Sequence, residues 1–213
     1  MKHSQNGFTI LELLVASVIG LTFGLAGWSF QRTQALELGR QSATIDATED
    51  LRAAMGFLAA EIRQAGFDPR QSALLVTGSR GISEARGDSL LIQVDANRDG
   101  DIDLAATDAD PDGAESILYS YDATTREIIR TVADVSQVLF GNVPAGGFAL
   151  SYFDVLGNPL APTGNPAALD AAQRDLVAFV RLDLRVNAVG VAPTTTFRTA
   201  SRLTLRNRVL DRL

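Results

Sequence analysis

The chain contains no cysteine, and its only histidine is His3. Without cysteine there is no disulfide framework and no thiolate to act as nucleophile or metal ligand. With its one histidine ahead of the first apolar run, the body of the chain cannot build a Ser-His-Asp triad, a Cys-His pair or a His-ligated zinc site. Catalysis that depends on those groups is not expected. Lysine is equally scarce: Lys2 is the only one, and every other basic side chain is arginine. Nineteen basic residues against 25 acidic ones leave a net charge of -6. An acidic surface is a poor nucleic-acid partner, because phosphate contacts need clustered cations. The one basic cluster, RLTLRNRVLDR near the C-terminus, reads as an edge strand with solvated arginines. Proline is missing ahead of Pro69, so nothing in that stretch interrupts a helix.

What is present at the start is a long apolar run. Phe8 to Gln31 holds 24 residues and a single charge, Glu12. As a helix rising ~1.5 Å per residue it covers a ~30 Å hydrocarbon core, so a membrane span is expected. A short polar leader, Met1 to Asn6, precedes Gly7. A secretory signal places its small-residue cleavage site after the apolar run; here the small residue comes before it. Cleavage at Gly7 would remove the leader and keep the helix. An ordinary unprocessed anchor is the alternative. Glu12 sits ~6 Å along the helix from Phe8. There a carboxylate costs less than the ~2.5–3.5 kcal/mol of the bilayer centre. Glu12 is either a tolerated interfacial charge or one that needs a cationic partner, and cleavage before Phe8 would create one in the new amine. Lys2 and His3 precede the span while Arg32 and Arg40 follow it, so the positive-inside rule gives no orientation. Gly20 and Gly24 form a small-xxx-small pair, which lets helices approach closely, or reflect the usual glycine content of membrane helices. Gly39, beyond the span, is a candidate point of helix weakness.

The helix is expected to continue. Leu51, Met55, Leu58, Ile62 and Ala65 recur at spacings of 4, 3, 4 and 3, one apolar stripe suited to packing on a sheet or a partner helix. Gly66 and Pro69 supply the stop. Beyond them the period falls to two. Ser89–Asp95, Ser116–Asp122, Arg126–Val132, Phe148–Asp154, Leu176–Asn187 and Phe197–Arg206 read as strands. Asp122 to Thr125 form a short hairpin loop. Short neighbouring strands favour antiparallel pairing. The expected fold class is α+β: a long N-terminal helix, membrane-spanning in its first half, packed on an antiparallel β-sheet domain. The expected divisions are a leader 1–7, a span 8–31, a helical continuation 32–66 and a globular domain 67–213.

Within that domain residues 95–115 are acidic. Asp95, Asn97, Asp99, Gly100, Asp101 and Asp103 spell D-x-N-x-D-G-D-x-D, the first nine positions of a calcium-loop pattern. Alternate oxygen ligands with glycine at the sixth position let a tight loop wrap one hard cation. The twelfth position is Ala106, not the usual glutamate, and no helix is expected on either side. Asp108, Asp110, Asp112, Gly113 and Glu115 follow, either completing the same shell or forming a weaker site. A solvated turn is the alternative, since Asp, Asn and Gly all favour turns. Seven aspartates from Asp95 to Asp112 repel one another without a counter-ion, which points to Ca2+ over Mg2+ for its larger ligand number.

GFTILELLVA closely resembles the processing motif of type IV prepilins and type II secretion pseudopilins. The resemblance implies cleavage between Gly7 and Phe8 by a prepilin peptidase, N-methylation of Phe8, and pairing of Glu12 with the N-terminal amine of a neighbouring subunit. It also implies a cytoplasmic leader and a C-terminal domain in the periplasm, reaching the pilus or cell surface after assembly. EIRQAGFDP at the end of the helix resembles an element of PilW-type minor pilins. The resemblance covers residues 1–70 well and the β domain loosely. It implies a structural subunit that primes pilus assembly, with other minor and major pilins, the peptidase and the inner-membrane assembly platform as partners. J-type pseudopilins share much of this layout, and a membrane-tethered calcium-dependent binding domain is the reading from a different class.

Overall fold

The structure is a computed structural model and describes residues 9–69, 81–100, 102, 115–188, 195–205 and 207. The chain divides into two compact units, Met1–Thr44 and Ile45–Leu213. One helix, α1 (Ile10–Gln64, 55 residues), contributes to both. It runs through Gly39 without a break.

In the first unit the apolar side chains of α1 are exposed all round, from Ile10 and Leu11 to Trp28 and Phe30. The helix is long and apolar enough to cross a membrane. Its hydroxyls are satisfied within the helix: Ser17, Thr22, Ser29 and Thr33 donate to the carbonyls of Leu13, Ile19, Ala26 and Ser29. That suits a segment with no water to bond to.

In the second unit the stripe of α1 is buried at Leu51, Met55, Leu58, Ile62 and Ala65. Gly66 ends the helix with φ +76°, a left-handed conformation that costs glycine nothing. Among the described residues nine strands follow: β1 (Ile82–Ala85), β2 (Ser89–Gln93), β3 (Ser116–Asp122), β4 (Glu127–Val132), β5 (Val135–Phe140), β6 (Phe148–Phe153), β7 (Pro159–Leu160), β8 (Phe179–Asn187) and β9 (Thr196–Thr204). They form two antiparallel sheets, β1-β2-β3-β4-β5 and β7-β6-β8-β9. A short helix, α2 (Ala171–Leu176), precedes β8, with Asp170 and Gln173 forming a capping box. Sequence alternation gave Leu176 to the strand; the cap and α2 take it, and β8 starts at Phe179.

A single apolar core joins the α1 stripe to Ile82, Leu90, Ile92, Tyr119 and Ile128 of the first sheet and to Leu150, Tyr152, Val180 and Leu182 of the second. Tyr152 on β6 fixes the two sheets together: its hydroxyl donates to the Arg86 carbonyl at 2.6 Å, and burial pushes its ionisation far above the ordinary range. Glu61 ties α1 to the first sheet. Its carboxylate accepts from the Tyr119 hydroxyl on β3 and from Arg130 Nε and Nη2 on β4 at 3.0 and 2.9 Å. The basic C-terminal segment read as an edge strand is β9 as far as Thr204, at the edge of its sheet. There Arg202 lies over the rings of Phe179 and Phe153.

Gly81 explains how α1 meets the first sheet. Its φ is +89°, and a Cβ there would stand 2.0 Å from the Gly66 amide nitrogen. Only glycine lets the chain entering β1 pass this close to the helix terminus.

Candidate functional site

Among the described residues two groups carry chemistry, one in each unit. At the start of α1, Thr9 and Glu12 form a reciprocal cap. The Glu12 carboxylate accepts from the Thr9 amide at 2.9 Å and from its hydroxyl at 3.0 Å, while Thr9 Oγ1 accepts from the Glu12 amide. This is the T-x-x-E capping box, present in the sequence as TILE. The cap gives Glu12 a local role that sequence reasoning missed, although the signal was there. It satisfies helix-terminal N–H groups and places a negative charge where the helix dipole favours it. Both Glu12 oxygens also remain at the exposed N-terminal end of the helix. Gly7 and Phe8, on either side of the expected cleavage, lie outside the described residues.

The second group lies between β2 and β3. The register pairs Gln93 with Ser116, and the Val94 amide donates to the Glu115 carbonyl at 3.0 Å. This pairing sets the residue before β3 beside the chain leaving β2. Carboxylate oxygens of Asp95, Asp99 and Glu115 all fall within 4.8 Å of one another. Asp95 is 0% exposed and Glu115 1%, whereas Asp99 is exposed. Glu115 Oε1 accepts from the amides of Ala96 and Asn97 at 2.6 and 3.2 Å, which fixes its carboxylate. Asn97 serves Asp99: its Oδ1 accepts from the Asp99 amide at 2.9 Å, and its Nδ2 donates to Asp99 Oδ2 at 3.0 Å. Neither oxygen of Asp95 has a hydrogen-bond partner among the described residues. The Asp95 amide donates to the Phe67 carbonyl at 2.8 Å, and the Gly66 amide to the Gln93 carbonyl at 2.9 Å. The end of α1 is thereby pinned to the same strand end. Asp101, Asp103, Asp108, Asp110 and Asp112 lie outside the described residues.

Glu115 is the carboxylate that linear spacing assigned least clearly. It reaches Asp95 and Asp99 across a strand pair, not along a continuous loop.

Neither curated proteins nor solved structures gave a match to this chain. The family described as "Prokaryotic N-terminal methylation motif" matches residues 2–28, the segment that holds Gly7, Phe8 and the Thr9–Glu12 cap. With the long apolar helix and the antiparallel sheets behind it, that motif supports a type IV pilin- or pseudopilin-like protein, structural in character, interacting with other pilins and with a prepilin peptidase.

Proposed function

We propose that the chain is a PilW-type minor pilin, a structural subunit that helps to prime type IV pilus assembly. The observation that carries the pilin part of this reading is the methylation motif at residues 2–28, leading into a helix whose first half buries no side chain; the PilW part rests on the resemblance of EIRQAGFDP. On this reading the peptidase cuts between Gly7 and Phe8 and Phe8 is N-methylated. The helix is held in the inner membrane, and the sheet-bearing unit lies in the periplasm until the subunit leaves with the filament. Other minor pilins, the major pilin and the assembly platform are its partners. An apolar helix surface of this extent loses little on passing from lipid to a bundle of like helices. Each step therefore needs packing and one polar register contact. Glu12 provides that contact by pairing with the amine of a neighbouring subunit's Phe8.

The cap and the intersubunit pair are separable by substitution. Glu12→Gln keeps an acceptor for the Thr9 amide but has no charge to offer an amine. Glu12→Ala loses both. If register is the role, both variants insert into the membrane normally and both are depleted in sheared filaments. If capping is the role, Glu12→Gln is incorporated like the wild type. Intact mass of the membrane-extracted chain should show loss of residues 1–7 and gain of one methyl group. A chain still starting at Met1 in cells holding the peptidase would overturn the processing. Recovery in a secretion pseudopilus in place of surface pili would assign the J-type role.

A further inference from the structure

We propose that Asp95, Asp99 and Glu115 bind a calcium ion where β2 ends and β3 begins. The reading does not depend on filament assembly. It starts from Asp95, whose side chain is wholly buried with both oxygens lacking a hydrogen-bond partner among the described residues. Buried carboxylates are paired or bind metal, since desolvation without a partner is costly. No basic side chain pairs with Asp95 among the described residues; the nearest in sequence, Arg98, lies over the Phe67 ring. The groups that do face it are two more carboxylates, one of them fixed by two backbone amides. A shared proton would satisfy one oxygen and one acceptor. A divalent cation satisfies all three groups.

The geometry fits one ion. Calcium takes oxygens at 2.3–2.6 Å, so two ligands on opposite sides stand up to about 5 Å apart. The three carboxylates lie within 4.8 Å. Calcium also accepts an irregular, partly hydrated shell, whereas magnesium requires near-octahedral ligands at about 2.1 Å. Water reaches the site from the side of Asp99, which is exposed. Bound there, the ion would fasten the start of the β2–β3 connection to its end. Through the Asp95 amide and the Phe67 carbonyl, the exit of α1 would share in the stabilisation. With three carboxylates, affinity is on the order of 10⁻⁴–10⁻³ M, the range of extracellular modules.

The test uses the full-length chain in detergent, stripped with chelator. Titration calorimetry with CaCl2 should show saturable binding, and about 10 mM CaCl2 should raise the melting temperature more than equal MgCl2. Asp95→Asn should lose the calcium shift while melting, metal-free, at or above the wild-type temperature, because like charges no longer crowd. Asp99→Asn changes an exposed side chain and is not expected to disturb folding; it should weaken binding at least about tenfold by removing one ligand charge. Should Asp95→Asn not fold, the Asp99→Asn affinity decides alone. The proposal is overturned if the wild type shows neither heat nor shift. It is equally overturned if Asp99→Asn binds calcium as tightly as the wild type, which would place the ion elsewhere in the acidic run.

Discussion

Between Ile10 and Thr44 helix α1 buries no side chain; between Ile45 and Gln64 it buries six. Both parts are rich in apolar residues, so apolar content does not separate them. Arrangement does. In the first part Leu11, Leu13, Leu14, Val15, Val18, Ile19 and Leu21 face every direction, and no one surface of the chain's own sheets could cover them all. Such a segment needs an apolar solvent or like helices on all sides. In the second part the buried apolar residues fall on one stripe, with the charged residues and the exposed Ile45 and Phe57 on the remainder, and two β-sheets close over the stripe. One continuous helix thus serves two environments, and a substitution of one kind should have opposite weight in its two parts.

Leucine truncation is the strongest way to break that comparison. Leu58 is 1% exposed and Leu25 64%. Leu58→Ala should destabilise the sheet-bearing unit by about 2–5 kcal/mol, the transfer and cavity cost of a core leucine. Leu25→Ala should leave that unit's denaturant midpoint unchanged. Chemical denaturation in detergent, followed by the tyrosine signal, measures both. A loss at Leu25 comparable to that at Leu58 would show that the first part has a packing partner within the chain.

The stripe was legible because its spacing of 4, 3, 4 and 3 matches one helical face, and Gly66 marks its end by a conformation that few other residues adopt. The division of strands into two sheets was not legible. Alternation identifies a strand and a buried face, not the strand it pairs with. β5 was missed for a local reason: its hairpin with β4 turns on Ala133 and Asp134, both at positive φ, where the recognisable turn would be Asn-Gly. Arg126 and Asn142 also take positive φ, so several turns here lack the glycine that would announce them. β1 and β7, of four and two residues, are too short to show a period. At the site, Asp95, Asn97 and Asp99 were visible as a spacing, because a loop ligand pattern is local. The place of Glu115 depends on the Gln93–Ser116 register, which only the paired sheet supplies.

Ion pairs give a second, smaller contrast. Glu61 and Arg130 form a half-buried bidentate pair shared with the buried Tyr119. Glu37 and Arg40, in the first part of α1, form an exposed pair at 3.7 Å. Glu61→Ala strands a half-buried guanidinium and leaves a buried hydroxyl without its acceptor, and should cost about 1–3 kcal/mol. Glu61→Gln keeps an acceptor for Tyr119 and should cost less. Glu37→Ala should stay within about 0.5 kcal/mol, as exposed helix pairs do. Urea midpoints of the three variants should fall in that order. An equal effect of Glu37→Ala and Glu61→Ala would remove the distinction between the two parts.

Acid should act mainly on the sheet-bearing unit, and the chain carries its own reporters. Trp28, the sole tryptophan, lies in the first part of α1; all three tyrosines, Tyr119, Tyr121 and Tyr152, lie in the sheets. Hydrogen bonds from Arg198 hold the Asp183 carboxyl on β8 below its ordinary value, and the Arg198 charge adds to the effect. Asp154 is lowered first by the Asn158 side chain. Asp122 is lowered by the amides of Thr124 and Thr125 in the β3–β4 turn. A carboxyl lowered by folding lends stability that is complete above its unfolded value of about 3.9 and is lost as pH falls through the lower folded value. Asp122 and Asp154 are half-exposed, so their effects are small and screened by salt, whereas the Asp183 side chain is only 14% exposed and carries the larger share. Between Glu12 and Glu37 the helix has no acidic residue. Lowering the pH from about 5 towards 2 should therefore reduce the thermal stability of the tyrosine-reported transition while Trp28 emission in detergent stays constant. Asp183→Asn should flatten part of that dependence and leave the neutral-pH midpoint slightly lower, because the amide keeps the shape but not the charge that Arg198 meets. Tryptophan and tyrosine signals that changed together on acidification would mean that the two parts of α1 respond as one unit.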